Sequence, residues 1–311
     1  MHNAFTSKKY KVAAYITAYE DIEAVTSCVQ AINTQSFPIQ KIFIVDNSCE
    51  DSTVVDVENV VIRYCPENIG VAGGIKLAVE WALEKEYDFL WAFDQDSIPT
   101  ANCLEALLRE YRHISQHNYK ISIIAPTAID LRTDRVVEGA IFDRDRFTAC
   151  KYTSQSQPYE CDAPITSGSL ISIAAAKTIP LPCADLFIDG VDLDYGLQLK
   201  QKGFYNLIVP QAILYHKFSE PVKVTFLQQE RFLYKYSALR HYYICRNHTY
   251  LDTRYAKGWY RLTSCLKRMK YLASTSILIF LYDPEDKALK IWACIIGTCH
   301  GFKGKLGKTW Q

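Results

Sequence analysis

Four short apolar runs, separated by helical patterns, constrain this chain more than any other feature. Residues 10–17, 41–45, 60–64 and 89–93 read as buried strands. Between them, 21–34 reads as an amphipathic helix ending before Phe37-Pro38, and 74–85 as a helix that follows a glycine-containing turn. Strands alternating with helices specify an α/β fold with a mostly parallel sheet and helices on both faces. Ligands of such sheets bind beyond the carboxyl ends of the strands. Three of the four runs carry polar clusters at that end: Thr17-Ala18-Tyr19, Asp46-Asn47 and Asp94-Gln95-Asp96. One rim is therefore rich in ligands.

Beyond residue 120 the pattern shortens. Residues 121–125 and 170–173 read as strands, and 185–203 as a loop running into a helix at 195–202. Residues 207–209 read as a short strand ended by Pro210, 226–250 as a long helix crowded with aromatics, and 259–311 as a separate tail. The expected organisation is a catalytic domain over 1–253, with a nucleotide-binding half at about 1–125 and an acceptor half at about 126–253. A helical extension follows over 254–311. A chain of 311 residues buries a sizeable core without disulfides. The first 253 residues hold 24 Lys/Arg against 31 Asp/Glu, and the last 58 hold 11 against 3. A basic end on an acidic body points that end at an anionic surface, while the total of +1 argues against a nucleic-acid partner. The eleven cysteines are odd in number and lack Cys-x-x-Cys spacing, and the first ten residues contain no apolar signal core. A cytoplasmic protein with reduced thiols is the expectation.

The chemistry concentrates in a few motifs. Asp94 and Asp96 flank one residue at the end of an apolar strand, so both can reach a hard cation such as Mg²⁺ or Mn²⁺. Asp is also common in strand-end turns, and the pair gains meaning from its company. Asp46 at the same rim can accept from a pyrimidine N–H. The glycines of Glu67-Asn68-Ile69-Gly70-Val71-Ala72-Gly73-Gly74 let backbone approach phosphate or ribose. Their spacing is not the dinucleotide fingerprint, which argues against a dehydrogenase. Asp189, Asp192 and Asp194 place three carboxylates in six residues, more than a helix cap requires. One facing the cleft could take a proton from an acceptor hydroxyl.

Taken in order, these motifs resemble family 2 glycosyltransferases of the GT-A fold, closest to the rhamnosyltransferase-like branch. The resemblance covers roughly residues 10–250. It rests on Thr17-Ala18-Tyr19, Val45-Asp46-Asn47-Ser48, the 67–74 segment, Asp94-Gln95-Asp96, Thr166-Ser167-Gly168-Ser169, Val191-Asp192-Leu193-Asp194, His216 and Tyr242-Tyr243-Ile244-Cys245-Arg246-Asn247. It implies that Thr17, Tyr19 and Asp46 hold the nucleoside, that Asn68 and Gly73 line the donor site, and that Asp94 touches donor and metal. Asp96 and His216 complete the metal site, Asp192 is the base, and Asp194 and Arg246 contact the acceptor or orient its loop. Cys49, Lys76, Gln198 and Lys200 depart from the family's more usual Ser, Asn, Arg and Arg.

The function so implied is an inverting, Mg²⁺- or Mn²⁺-dependent transfer of a sugar, rhamnose from dTDP-rhamnose, to a saccharide or lipid-linked saccharide in cell-surface polysaccharide synthesis. The alternatives are a sugar-nucleotide-binding protein without turnover and a nucleotidyltransferase. The nucleotidyltransferase would need a basic, glycine-rich triphosphate loop, which is not seen. Trp259, Leu262, Leu266 and Met269 recur at helical spacing among basic residues, a pattern suited to a membrane interface at the inner face of the cell membrane, or to a second subunit in a homo-oligomer.

Overall fold

The computed structural model describes residues 10–49, 57–151, 157–218, 221–226 and 229–310. The 1–9 stretch read for a leader, and residues 227–228 of the long helix read over 226–250, lie outside these.

Strands β1 (Val12–Ala18), β2 (Lys41–Asp46), β3 (Val60–Tyr64) and β4 (Phe89–Asp94) form with helices α1 (Ile22–Asn33) and α2 (Gly70–Glu84) the expected alternating unit. β5 (Ser97–Pro99), α3 (Cys103–Ser115) and β6 (Ile121–Asp130) follow. Then come short strands β7 (Arg135–Val137), β8 (Ala140–Asp143), β9 (Arg146–Ala149), β10 (Tyr159–Glu160) and β11 (Leu170–Ser172). Helix α4 (Ile173–Ala176), a 3-10 turn (Ala184–Leu186), α5 (Val191–Gln201) and β12 (Tyr205–His216) complete the body. A hairpin of β13 (Pro221–Phe226) and β14 (Gln229–Tyr234) leads to α6 (Ala238–Tyr255), α7 (Tyr260–Tyr282) and α8 (Lys287–Lys303).

Among the described residues the main sheet runs β10-β12-β6-β11-β4-β1-β2-β3, with β5 on β12 and β7 on β6. β4, β1, β2 and β3 are parallel, as are β6 and β12, and β11 is antiparallel between the two groups. The alternation of side chains along β1 sorts the two cores. Val12, Ala14 and Ile16 pack against α1 and α3 through Val25, Val29, Leu104 and Leu107. Ala13 and Tyr15 pack against α2 and α5 through Ile75, Val79, Tyr195 and Leu199. This is the GT-A arrangement.

The strands of the first half stand within two residues of the sequence reading. The differences elsewhere have physical causes. α2 starts at Gly70, four residues early, because Gly70 adopts φ +70° and the Asn68 Oδ1 accepts its N–H at 3.0 Å. A Cβ at Gly70 would stand 2.3 Å from the Phe187 carbonyl oxygen, so only glycine fits there. α5 likewise starts four residues before the helix read at 195, and Asp192 lies inside its first turn. β12 continues through Pro210 to His216. Residues 210–212 form a bulge with no partner on β6, where a missing N–H is harmless. The stretch read as one helix over 226–250 instead holds β14 and the start of α6, whose Ser237 hydroxyl caps the Arg240 N–H at 3.2 Å. Aromatic-rich sequence favours strand as readily as helix.

The last two helices fold back onto the body. α8 lies against α6 so closely that a Cβ on Gly297 or Gly301 would come within 2.4 Å of the Tyr242 or Arg246 carbonyl. α7 is tied to the β9 side by Lys267 Nζ and Thr263 Oγ1, 2.7 and 2.6 Å from Asp145. Among the described residues no helix is long and apolar enough to cross a membrane, and the eleven cysteines are free.

Candidate active site

The carboxyl ends of β1 and β4 lie side by side, with Thr17 paired to Asp94. Gln95 locks these ends together. Its Oε1 accepts the Tyr19 N–H at 2.6 Å and its Nε2 donates to the Tyr19 carbonyl at 3.0 Å. The middle residue of Asp94-Gln95-Asp96 thus acts as a clamp, and its two neighbours project into a cleft of about 400 Å³.

His216 meets that pair because β5 pairs with the end of β12, setting Ser97 opposite His216. The His216 Nδ1 is 2.8 Å from Ser97 Oγ and 3.3 Å from Asp96 Oδ1, and its Nε2 is 3.9 Å from Asp94 Oδ2. Ser167 Oγ hydrogen-bonds the Ser97 hydroxyl and accepts the Asp94 N–H at 3.1 Å. Burial raises the Asp96 carboxyl; His216 draws it down, and the charge of Asp94 adds to the rise. Two carboxylates crowded on a cleft wall favour a cation between or beside them. Among the described residues no three His, Cys, Asp or Glu side chains form a ready-made metal cage. Asp94, Asp96 and His216, implied together as the metal site, therefore do not close into a three-ligand set.

The facing wall is the 187–192 segment. Phe187 and Asp189 take positive φ, at +64° and +73°, and such strain persists only where surrounding structure enforces it. Here α6 does so. Asn247 Nδ2 donates to the carbonyls of Leu186, Ile188 and Asp189 at 2.7–2.9 Å. His248 Nε2 lies 2.9 Å from Asp189 Oδ1, and Arg240 Nη2 3.6 Å from Asp189 Oδ2.

The three carboxylates of this wall are not equivalent. Burial pushes Asp189 up, but the hydrogen bond and charge of His248, with Arg240 and Arg268, outweigh it and leave the carboxyl below its ordinary value. Asp194 is buried and faces away from the cleft, accepting from Tyr255 Oη at 2.5 Å and Gln198 Nε2 at 2.8 Å. Asp192 lines the cleft, and burial, with the Asp189 charge beside it, raises it to about 6. It is the carboxyl of the three with the properties of a proton acceptor near neutrality.

A second cavity, of about 550 Å³, continues from the first past Thr17, Tyr19 and Val71 toward the ends of β2 and β3. Asn68 lines it, as do Asn47 and Cys49. Asp46 does not reach it: the side chain is fully buried, with Oδ1 accepting the Ser48 N–H at 2.9 Å and Oδ2 left without a partner. Gly73 also lies back from both cavities, inside α2 against Ile69. Arg246 stands away from the cleft altogether. All five of its N–H donors are spent, on Asn247 Oδ1, the carbonyls of Asp185, Leu186 and Gly307, and Thr309 Oγ1. Gln198 and Lys200 are committed to Asp194 and to Asp162 with Glu160. Thr17, Tyr19, Asp94, Asp96, Asp192 and His216 are therefore brought together around the first cleft and Asn68 lines the second cavity, whereas Asp46, Gly73, Asp194 and Arg246 line neither.

Several residues on the cavities carried no signal in the sequence. Arg240 and Tyr236 line the first and Lys308 and Trp310 the second. Their approach depends on the start of α6 and on the fold-back of the last residues, neither of which a local pattern reveals.

The comparisons with known proteins agree with this geometry. The family model described as "Glycosyl transferase family 2" matches residues 14–176. The dTDP-rhamnosyl transferase RfbF of Shigella flexneri is 23% identical over 257 residues, covering 82% of each chain. The crystal structure of GalNAc-T7 with UDP, GalNAc and Mn²⁺ superposes with a TM-score of 0.61 at 14% identity, over 96% of this chain. This chain spans 56% of that protein's length. S. aureus TarS 1–349 in complex with UDP gives 0.52 at 12% identity, over 95% of this chain and 92% of that one. The chain is a glycosyltransferase, and it belongs to glycosyl transferase family 2.

Proposed function

We propose that this enzyme transfers a rhamnosyl group from dTDP-rhamnose to a hydroxyl of a saccharide or lipid-linked saccharide, with inversion at the anomeric carbon. The observation that carries the reading is a single cleft lined by Asp94, Asp96 and His216 on one wall and by Asp192 on the other. The choice of donor is supported by the likeness to RfbF over most of both chains. The nucleoside occupies the cavity beside Asn68, and its diphosphate reaches Asp94 and Asp96. Mg²⁺ or Mn²⁺ held by those two carboxylates, with His216 beside them, would supply Lewis-acid neutralisation of the leaving diphosphate. The side chains do the rest. Asp192 accepts the proton of the incoming hydroxyl as its oxygen bonds to the anomeric carbon and the glycosyl–phosphate bond breaks. Asp189, held ionised by His248 and Arg240, fixes the loop that carries Asp192. One displacement inverts the centre, and no sugar–enzyme bond is needed. Release of nucleoside diphosphate from a panel of dTDP- and UDP-sugars tests the proposal. Release only from a sugar other than rhamnose would replace the donor, and no release from any would overturn the reading.

The base assignment sets the pH dependence. Asp192 must be deprotonated to act, so kcat/KM should climb as pH rises through about 6 and level off above it. Initial rates at fixed ionic strength between pH 4.5 and 8 would show this. A flat profile across that range would contradict it.

The outer side of α7 and α8 supports a membrane-surface role at the inner face of the cell membrane. Trp259, Leu266 and Phe280 are 74%, 63% and 65% exposed, with exposed Arg261 and Lys270 among them. Basic amphipathic helices of this kind lie in the interface of anionic bilayers. The full chain should float with anionic vesicles, and Leu266→Glu with Met269→Glu should largely abolish flotation. Equal flotation of both forms would remove these helices from the membrane contact.

A further inference from the structure

The second cavity has one wall that comes from neither the sheet rim nor α2. Lys308 and Trp310 form it, and they line the cavity together with Tyr19, Asn47 and Asn68. Lys308 Nζ donates to the Glu67 carbonyl at 2.6 Å and the Asn68 carbonyl at 3.3 Å, more than 200 residues away along the chain. It also stands 5.5 Å from the centre of the Phe187 ring, beside the strained loop that leads to Asp192.

The segment is firmly seated. The Gly307 N–H donates to the Asp185 carbonyl at 2.7 Å, and Arg246 Nη1 holds the Gly307 carbonyl and the Thr309 hydroxyl. Tyr242 Oη lies 2.7 Å from Thr309 Oγ1. The Trp310 indole stacks on Tyr242, with centroids 5.0 Å apart and planes 24° from parallel, and Tyr243 Oη donates to the Trp310 carbonyl at 3.4 Å. These contacts fix the 307–310 backbone against α6 and the 185–186 loop. They leave a half-buried indole and an ammonium group at the edge of a cavity sized for a nucleotide.

We propose that residues 308–310 are a working part of the donor site. Trp310 gives the nucleoside a flat apolar wall, and Lys308 gives its phosphates a positive charge. The proposal rests on the donor reading above. An indole surface accepts any base, so its contribution is affinity rather than choice of base. An ammonium that spends two of its three N–H groups on carbonyls keeps one for a phosphate oxygen. The buried Arg246 is then a positioning residue: it joins the 307–309 backbone to the 185–186 backbone, and so ties the nucleoside wall to the loop that carries Asp192.

The test is calorimetric titration of the full chain with dTDP in the presence of Mg²⁺, beside Trp310→Ala, Trp310→Phe and Lys308→Gln. Trp310→Ala should weaken dTDP about tenfold or more, by the usual cost of losing a base–aromatic contact. Lys308→Gln should weaken dTDP several-fold and leave thymidine binding unchanged. The Trp emission of the parent should be quenched by dTDP, and that of Trp310→Phe should not. The last readout stands even where Trp310→Ala proves too unstable to titrate. If the parent binds dTDP and the variants bind it equally well, with quenching retained in Trp310→Phe, the segment is only structural and the donor reading survives. If the parent binds no nucleoside diphosphate at all, both fall.

Discussion

Asp192→Asn should slow sugar transfer by about a hundred- to ten-thousand-fold, the usual contribution of a general base, with dTDP affinity nearly unchanged. The substitution keeps size and hydrogen-bonding shape and removes basicity. Its neighbours make the comparison informative. Asp189 is held below its ordinary pKa by His248 and Arg240, so Asp189→Asn should loosen the loop and lower both binding and turnover. Asp194 is buried against Tyr255 and Gln198. Asp194→Asn should therefore cost stability, about 1–3 kcal/mol for a disturbed buried acceptor, and should show itself in thermal unfolding. Single-turnover rates with saturating donor and acceptor, beside independent dTDP binding, separate these effects. Transfer by Asp192→Asn at close to the parent rate, or loss of the chemical step in Asp194→Asn alone, would move the base to the neighbour.

The other large effect belongs to the rim carboxylates. Asp96→Ala should reduce turnover on the order of a thousandfold or more, since several kcal/mol of charge stabilisation at about 1.36 kcal/mol per tenfold is at stake. An excess of chelator should do the same to the parent, reversed by added Mg²⁺ or Mn²⁺. Folding should survive the substitution. Asp96 is partly exposed at the cleft, and the Ser97 hydroxyl still holds His216 when Asp96 is gone. Circular dichroism and the thermal midpoint check that point. Full activity in chelator would remove the metal from the proposal, and a normal rate for Asp96→Ala would remove the residue.

The half of the fold that the chain declares openly is the one built from repeating local units. β1 to β4 and α1 follow from apolar runs and an amphipathic pattern, and in the structure the Asp21 side chain accepts the Ala24 N–H at 2.9 Å. The rest depends on long-range packing. Pro210 reads as a stop unless one knows that residues 210–212 bulge away from β6. The aromatics before residue 235 read as helix unless the β13–β14 hairpin is seen. The site divides in the same way. Asp94 and Asp96 were visible through their company, the ordered set of motifs around a carboxylate pair that a strand-end turn alone would explain. Asp192 and Asp194, alike in the sequence, are separated by one turn geometry: the start of α5 at Val191 leaves one on the cleft and turns the other into the interior. Arg246 was expected to contact the acceptor or orient its loop, and its partners are backbone carbonyls and neutral side chains, a use that composition cannot foretell.

The bulge in β12 also sets a rule of parity. Val209 pairs with Pro126 and Ile213 with the adjacent Thr127, so three residues on one strand are passed over between two neighbours on the other. Side chains along a strand alternate faces, and a skipped odd number exchanges odd positions for even ones downstream. His216 consequently shares the face of Val209, which an uninterrupted strand would deny it. A slip of the downstream segment by a single residue would present Tyr215 or Lys217 where the imidazole now stands, without altering any residue of the site. A slip of two restores the face but sets Leu214 or Phe218 at that place, so an engineer who grafts or trims this strand must keep His216 opposite Ser97 whatever the length of the bulge.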